Sequence, residues 1–292
     1  MSGATSWAYH RGWAVAARVP EPLVGPTVTT IADAVWAVRG TGIRMLETNL
    51  ARVVPDAEAE ELRALSRQGM RSYMRYWSEV IRLPRWSPER VRADVVTHHI
   101  ERLRDPLAAR RGVVAALPHM GNWDLAGAWA GADGMPVTTV VERLRPEGRY
   151  ESFVRLRERL GMEVLPLGRG ASTMRLLERR LRTGRLVCLL ADRDLSGRGV
   201  RVPLVGAMAR IPLGPAWLAR ATGALLLPVS TFYDPQCMHL VAHEPVEVAA
   251  GHRGLVDATA AVAEAFTVAI RRNPADWHML QPVFEPDLAR RR

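Results

Sequence analysis

The sequence predicts an α/β protein in which a central, mostly parallel β-sheet is flanked by helices. From about residue 112 onward, short apolar runs alternate with helical patterns. Strands buried on both faces have such continuous apolar sequences, and their alternation with helices is typical of a parallel sheet covered on both sides. The residues before this point show helical periodicity instead. We therefore expect one compact body, with residues 1–110 as an N-terminal helical region and residues 111–292 as the α/β core.

The N-terminal region is predicted to consist of short amphipathic helices. Between Ala57 and Leu83, apolar residues recur every three to five positions, which is the spacing of one helix face. These residues are Leu62, Leu65, Met70, Tyr73, Trp77 and Val80. Arginines border this face, and several of the chain's tryptophans lie in the same region. Such helices are typical either of an interfacial position on a membrane or of packing against the domain behind them, and both interpretations stay open.

The remainder of the chain is expected to form the sheet and its covering helices. The predicted strands are residues 112–118, 136–141, 162–167, 185–191 and 224–230. Candidate helices lie near residues 122–132, 147–160, 171–183, 213–222 and 254–272. Because parallel strands require crossover connections, this order of strands and helices favours a parallel sheet with helices on both faces.

The composition describes a basic globular protein. The 292 residues include 48% hydrophobic and 24% charged residues, which excludes a disordered or collagen-like chain. The formal charge is +10, and every one of the 40 cationic residues is arginine. Arginine can bind phosphate or carboxylate through two parallel hydrogen bonds. A chain of this charge can bind an anionic membrane surface or nucleic acid, and composition does not choose between them. The absence of a recognisable nucleic-acid reader motif and the few Phe and Tyr residues for stacking disfavour nucleic acid, so the expected partner is the membrane surface.

The cysteine content and the hydropathy of the chain indicate which cellular compartment to expect. Cys188 and Cys237 are too few for a disulfide framework, so we expect free thiols in a reducing compartment. Charges at Arg11 and Arg18 interrupt the N-terminus, which lacks the apolar core of an export signal. The longest apolar run without charge, around Ala221–Tyr233, is too short to span a membrane. The chain also lacks HExxH and CxxC patterns, so neither a metal site nor a bound cofactor is expected.

A histidine follows the first predicted strand of the core. In open α/β sheets, ligands bind beyond the carboxyl ends of the strands, where His119 would lie. Asn122 can cap the next helix, and Asp124 would fall in its first turn. The four-residue interval between His119 and Asp124 can bring the carboxylate onto the imidazole. Such a pair can act as a general base, since the carboxylate stabilises the imidazolium that forms.

Further charged residues follow other predicted strands or precede them on helices. Glu142 follows the second strand, and Asp192, Arg193 and Asp194 follow the fourth. Arg157 lies on the helix before the third strand. Their convergence on one edge of the sheet favours a binding site, although each carboxylate and guanidinium could equally form a structural ion pair. No GxSxG elbow or phosphate-binding loop accompanies them.

Five segments together carry a resemblance to a known superfamily. They are HMGNWD (119–124), ERLRPE (142–147), FVRLRERLGMEVLPL (153–167), ADRDLSGRGVRV (191–202) and IPLGPAWLARATGALLLPV (211–229). In this order they resemble the lysophospholipid acyltransferase superfamily, in particular its branch of bacterial late lipid A acyltransferases and actinobacterial phosphatidylinositol mannoside acyltransferases. The resemblance covers most of residues 1–285.

The resemblance implies a glycerol-3-phosphate acyltransferase-like fold and a peripheral enzyme at the cytoplasmic face of the cell membrane. It implies transfer of a long acyl chain from acyl-CoA, as co-substrate, to a mannose hydroxyl of mannosylated phosphatidylinositol. In the matching motifs, His119 is the general base and Asp124 its partner. Glu142 and Arg157 resemble residues that orient the sugar acceptor or the pantetheine. The matching DRD segment, residues 192–194, would lie beside the catalytic pair.

Two other functions remain compatible with these residues. The same site could acylate another glycolipid or a lysophospholipid, with acyl-CoA or an acyl carrier protein as donor. A non-catalytic lipid-binding module, whose cationic helices dock on an anionic membrane, is the second alternative. The two classes differ in whether His119 is required.

Overall fold

The computed structural model describes residues 20–142, 147–167 and 171–289. Its first four helices are α1 (Glu21–Ala37), α2 (Thr41–Val53), α3 (Ala59–Arg82) and α4 (Pro88–Ala93). The predicted amphipathic helix over Ala57–Leu83 is thereby confirmed as α3. Its N-terminus is a capping box, in which the Glu58 side chain accepts from the backbone of Glu61 and the Glu61 side chain accepts from the backbone N–H of Glu58.

The remaining elements alternate between strands and helices. The strands are β1 (Val95–His98), β2 (Val113–Leu117), β3 (Val137–Glu142), β4 (Glu163–Leu167), β5 (Leu186–Leu190), β6 (Val200–Leu204), β7 (Ala207–Ile211), β8 (Leu225–Tyr233) and β9 (Met238–Ala242). The helices are α5 (Glu101–Ala108), α6 (Trp123–Ala132), α7 (Glu147–Arg159), α8 (Ala171–Arg182), α9 (Gly214–Thr222), α10 (Gly251–Arg272) and α11 (Glu285–Ala289). Two short 3₁₀ turns occupy Leu83–Arg85 and Pro274–Asp276.

Seven strands form the central sheet in the order β1-β9-β8-β2-β5-β3-β4. All neighbouring pairs in it are parallel except β8 and β9, which are antiparallel. The strands β6 and β7 form a separate antiparallel pair. This arrangement confirms the predicted α/β fold with a mostly parallel sheet. All five predicted strands and all five predicted helices of the core are present.

One strand of the sheet comes from the region that was predicted to be helical, residues 1–110. The strand β1 precedes residue 110 and pairs in parallel with β9. It lies at the edge of the sheet, where one neighbouring strand suffices. The sequence analysis did not predict β1, β6, β7 or β9, because four- and five-residue strands with partly exposed side chains lack a long apolar run.

The buried side chains form apolar layers on the two faces of the sheet. Along β2, Val114 and Ala116 pack in one core with Phe266, whereas Ala115 and Leu117 pack in the other. This division follows the two-residue periodicity of a strand, in which successive side chains point to opposite faces. All five residues of β2 are buried, as expected for a strand covered by helices on both sides.

A tight turn joins β2 to α6. Gly121 has φ +57°, and a Cβ atom at this position would lie 2.6 Å from the Thr231 carbonyl oxygen of β8. Only glycine combines that backbone angle with so close an approach. Asn122 then caps α6, since its side-chain oxygen accepts from the backbone N–H of Leu125 at 2.9 Å. The predicted cap is confirmed, and it places the end of β2 against the start of α6.

Among the described residues, no helix has both the length and the apolar composition needed to cross a bilayer.

Candidate active site

His119 and Asp192 meet at the carboxyl edge of the sheet. His119 follows β2 by two residues, and Asp192 follows β5 by two residues. Because β2 and β5 are parallel neighbours, with Leu117 opposite Leu190, the two side chains emerge side by side. The ring Nδ1 of His119 lies 2.5 Å from Oδ1 of Asp192. The backbone N–H of His119 also donates to Oδ2 of Asp192 at 2.8 Å.

Asp192 is fully buried and held by a third donor. The indole Nε1–H of Trp277 donates to its Oδ2 at 3.0 Å. Burial by itself would raise the pKa of Asp192, but the interactions with His119 and the hydrogen bond from Trp277 outweigh it, so the pKa lies below its usual range. An ionised carboxylate accepts hydrogen bonds, which assigns the ring proton of His119 to Nδ1. The lone pair of His119 Nε2 is then available to accept a proton.

The expected contact between His119 and Asp124 is not formed. After the turn through Gly121, the Asp124 side chain bonds to Tyr76 of α3 and Arg157 of α7 instead of to the histidine. His119 pairs instead with Asp192, which the sequence had led us to expect only beside the catalytic pair. Residue spacing predicted Asp124 as the carboxylate beside His119, whereas the register of β2 with β5 places Asp192 there.

Asp124 instead forms a buried ion pair with Arg157. The guanidinium Nε donates to Oδ1 of Asp124 at 2.6 Å, and Nη2 donates to Oδ2 at 3.1 Å. The Tyr76 hydroxyl of α3 donates to Oδ2 at 2.9 Å. The Asp124 side chain is 1% exposed and that of Arg157 is 13% exposed. This arrangement joins α3, α6 and α7 next to the histidine, so Asp124 and Arg157 position the helix that carries Trp123.

The other sequence-predicted residues divide into two groups. Glu142 and Arg193 face each other across the rim of the site, with Oε2 of Glu142 3.6 Å from Nη2 of Arg193. Asp194 turns away from the site and organises the following loop, where it accepts hydrogen bonds from the backbone N–H groups of Ser196 and Gly199. Residues 143–146 of the matching ERLRPE segment lie outside the described residues.

A C-terminal segment completes the site, and the sequence analysis did not predict it. The backbone N–H of His278 donates to the His119 carbonyl oxygen at 2.8 Å. The backbone N–H of Gly121 donates to the Asp276 carbonyl oxygen at 2.9 Å. Asp276, Trp277 and His278 thus hold the turn after β2 in place through hydrogen bonds. Their sequence, ADWHML, carries no motif or helical periodicity, and its role arises only from packing against residues more than 150 positions earlier.

An apolar cavity of about 200 Å³ begins at His119. Its more exposed polar lining residues, His119, Glu142 and Arg193, lie at the mouth, and the buried Asp124 and Arg157 also line the cavity. Its interior lies between the sheet and α6, where the lining residues include Ala115, Ala126, Gly127, Ala130, Val229 and Leu240. The alanine residues on α6 leave space that larger side chains would fill, whereas the Met162 side chain packs directly against Gly127. The cavity therefore suits an unbranched apolar chain whose polar end lies near the histidine.

Cys188 also lines the cavity. Burial raises the pKa of its thiol to about 12, so the sulfur is protonated at neutral pH. A protonated thiol is a poor nucleophile, because the thiolate is the reactive form. The site therefore offers a general base beside an apolar cavity, and Cys188 contributes an apolar wall.

Comparisons with known proteins identify the family of this chain. A family model described as bacterial lipid A biosynthesis acyltransferase matches residues 1–285. A phosphatidylinositol mannoside acyltransferase from Mycolicibacterium smegmatis is 40% identical over 286 residues, which cover 98% of this chain and 93% of that protein. A protein of the same name from Mycobacterium tuberculosis is 40% identical over 292 residues, which cover 99% of this chain and 91% of that protein. Since the family model and these relatives span nearly the whole chain, the chain belongs to the bacterial lipid A biosynthesis acyltransferase family.

Proposed function

We propose that this chain transfers a long fatty acyl group from acyl-CoA to a mannose hydroxyl of phosphatidylinositol mannoside. The observation that carries the proposal is the His119–Asp192 pair at the mouth of an apolar cavity. A general base there can activate a hydroxyl, and the cavity can hold the acyl chain of the donor. The names of the 40% identical relatives favour phosphatidylinositol mannoside as the acceptor.

The proposed reaction needs one base and no covalent enzyme intermediate. Nε2 of His119 removes the proton from the acceptor hydroxyl as its oxygen attacks the thioester carbonyl. The tetrahedral intermediate then collapses, the carbon–sulfur bond breaks, and the imidazolium returns the proton to the coenzyme A sulfur. Asp192 keeps Nδ1 protonated and stabilises the imidazolium between these two steps. The products are an ester and free coenzyme A.

Binding of the acyl chain would supply much of the donor affinity. Each methylene transferred from water into the cavity contributes about 0.8 kcal/mol. Glu142 and Arg193 at the mouth offer a hydrogen-bond acceptor and a cation to the polar part of donor or acceptor. No metal or cofactor enters this proposed reaction.

We further propose that the protein acts as a peripheral protein at the cytoplasmic face of the membrane, since its acceptor is a lipid and its donor is cytosolic. The helix α1 and the residue that follows it present an exposed apolar face, in which Leu23, Ile31 and Val35 of the helix and then Val38 are 44–80% exposed. Asp33, on the other side of α1, pairs with Arg67 and Arg71 of α3. An uncharged outer face bordered by arginines is suited to an anionic lipid surface.

The central test measures transfer by the His119→Ala variant. Purified protein is mixed with palmitoyl-CoA and phosphatidylinositol mannoside in vesicles, and the acylated lipid is quantified by mass spectrometry. We expect the variant to lose at least about 10²-fold of the rate, the usual contribution of a general base. The matched control is His252→Ala, which alters an exposed histidine and should transfer at the rate of the unaltered protein. Full activity of folded His119→Ala would contradict the proposed role.

The same assay separates the alternatives. If a lysophospholipid or another glycolipid is acylated faster than phosphatidylinositol mannoside, that lipid is the preferred acceptor. Faster transfer from an acyl carrier protein would replace acyl-CoA as the donor. A protein that binds these vesicles but transfers no acyl group to any of them would be the lipid-binding module.

A further inference from the structure

The hairpin between β8 and β9 brings three metal-ligating side chains together. They are Asp234, Cys237 and His239, which lie in the sequence DPQCMH. Oδ2 of Asp234 lies 2.8 Å from Nε2 of His239 and 3.6 Å from Sγ of Cys237. Sγ of Cys237 lies 3.9 Å from Nε2 of His239. Three different donor atoms therefore converge on one point at the β8–β9 hairpin, where all three residues are partly buried.

The distances fit a tetrahedral metal ion. Zinc bonds of about 2.0 Å to nitrogen or oxygen and about 2.3 Å to sulfur place tetrahedral ligand atoms about 3.3 to 3.6 Å apart. Each of the three observed separations lies within about 0.5 Å of that range. A carboxylate, a thiolate and an imidazole form a donor set suited to borderline divalent transition metals. The Asp234 side chain is 38% exposed, which leaves the fourth position open to water.

The histidine is already oriented as a ligand. Its other ring nitrogen, Nδ1, lies 2.9 Å from Nε2 of His98 on β1. Phe232, directly across the strand pair, stacks on the His239 ring with centroids 4.6 Å apart and planes 5° apart. Metal-binding histidines usually donate their second N–H to a hydrogen-bond acceptor, which fixes the tautomer and the ring direction. The His98 contact supplies such a partner from a different strand.

The aspartate is oriented in the same way. Its Oδ1 accepts the backbone N–H groups of Gln236 and Cys237, both at 2.7 Å. Oδ2 is therefore the oxygen that faces the thiol and the imidazole. The guanidinium of Arg75 donates to the Asp234 carbonyl oxygen at 2.7 Å and pairs with Glu79 instead of with the Asp234 carboxylate. The carboxylate is thus free to neutralise a cation together with the thiolate.

We propose that Asp234, Cys237 and His239 bind one borderline divalent transition-metal ion, of which Zn²⁺ is the representative, and that His98 orients the histidine ligand. No metal site was expected from the sequence, because the chain has no HExxH or CxxC pattern, and His98 comes to this cluster only through the β1–β9 pair. The site lies on a hairpin outside the proposed catalytic residues. It is therefore independent of the proposed function.

The test uses cobalt as a spectroscopic probe in the untagged, full-length protein. Metal is removed with a chelator, the thiols are kept reduced with a phosphine, and Co²⁺ is titrated. We expect a thiolate-to-cobalt charge-transfer band that saturates at about one ion per chain. Zn²⁺ should displace the cobalt and abolish the band, because zinc binds such sites more tightly.

Matched variants assign the ligands. Cys237→Ser should abolish the charge-transfer band, whereas Cys188→Ser, which alters the other cysteine, should leave it unchanged. His98→Gln should weaken cobalt binding about 10- to 100-fold and retain the band. Circular dichroism establishes that each variant is folded.

Alkylation of the unaltered protein tests the site without any substitution. Zn²⁺ should slow the reaction of Cys237 with iodoacetamide, as measured by peptide mass spectrometry. Absence of the cobalt band in the unaltered protein, persistence of the band in folded Cys237→Ser, or alkylation of Cys237 at the same rate with and without Zn²⁺ would each overturn the proposal.

Discussion

Nδ1 of His119 lies 2.5 Å from Oδ1 of Asp192, a residue 73 positions later in the chain. The same carboxylate accepts the His119 backbone N–H and the Trp277 indole N–H. Three hydrogen-bond donors among the described residues, one of them the imidazole itself, thus hold the buried charge of Asp192. We expect this relationship to determine the basicity and the orientation of the ring.

Asp192→Asn should lower the rate of acyl transfer by about 10²-fold or more, within the range that general-base catalysis contributes. The amide keeps the shape of the side chain but removes the charge that stabilises the imidazolium. The steady-state kcat is the quantity to measure, since a loss of positioning charge acts on the chemical step. Asp133→Asn is the control, because Asp133 pairs with Arg104 on the surface. A kcat for folded Asp192→Asn equal to that of the control would contradict the relationship.

Arg157→Met should lower the free energy of unfolding by about 3–5 kcal/mol, the usual cost of leaving a buried charge without its partner. Among the described residues, the Tyr76 hydroxyl would then be the only side-chain donor left to the buried Asp124 carboxylate. Urea denaturation followed by tryptophan fluorescence measures the effect. Arg155→Met on the same helix is the matched control, because its ion pair with Glu151 is about half exposed and should contribute less than about 1 kcal/mol. Equal losses in the two variants would show that the buried pair has no special role.

Ala130→Leu should shift the donor preference toward shorter acyl chains. Ala130 lines the cavity two helical turns beyond Trp123, about 10 Å deeper along α6 at 1.5 Å per residue. The added carbons would fill the space that the end of a long chain requires. The ratio of kcat/KM for palmitoyl-CoA to that for hexanoyl-CoA should fall at least tenfold, while the hexanoyl rate itself serves as the internal control. An unchanged ratio would place the acyl chain outside this cavity.

Val35→Glu should weaken binding to phosphatidylglycerol vesicles by about tenfold. The change removes an apolar side chain whose burial in the lipid contributes at least about 1.5 kcal/mol, and it adds a negative charge. Val35 is 44% exposed on the outer face of α1. Vesicle cosedimentation at low and high salt measures the partitioning, and the electrostatic part should decrease with salt. Val268→Glu alters a valine of α10 that is 39% exposed and should not change the binding. If both variants bind equally, α1 is not the lipid-facing element.

The stability of the protein should fall as the pH decreases from 7 to 5.5. Burial and the neighbouring charge of His119 lower the pKa of His278 to about 3. Between that value and the ordinary histidine pKa of about 6.5, the unfolded chain binds a proton that the folded protein excludes, so stability decreases as the pH falls. The midpoint of urea denaturation should therefore decrease over this interval in the unaltered protein and decrease less in His278→Gln. An identical pH dependence in the two proteins would contradict the buried, neutral state of His278.

Much of the fold was predictable because its signals are local. The apolar runs of β2, β5 and β8 and the periodicity of α3 can be recognised within a few residues, since burial on both faces or on one helix face imposes them. Candidate site residues could also be predicted, because they directly follow those apolar runs in the sequence. The edge strand β1 and its neighbour β9 were missed because partial exposure removes the apolar signal on which the prediction depends.

The sequence by itself determined the α/β class, the position of His119 at the end of a buried strand and the helix cap at Asn122. Only the tertiary structure decided which carboxylate serves that histidine. The spacing between His119 and Asp124 suggested a partner, but the turn at Gly121 directs Asp124 to Arg157, and the register of β2 with β5 brings Asp192 to the ring. Strand pairing joins residues that are far apart in the chain, and a short-range pattern contains no information about which strands become neighbours.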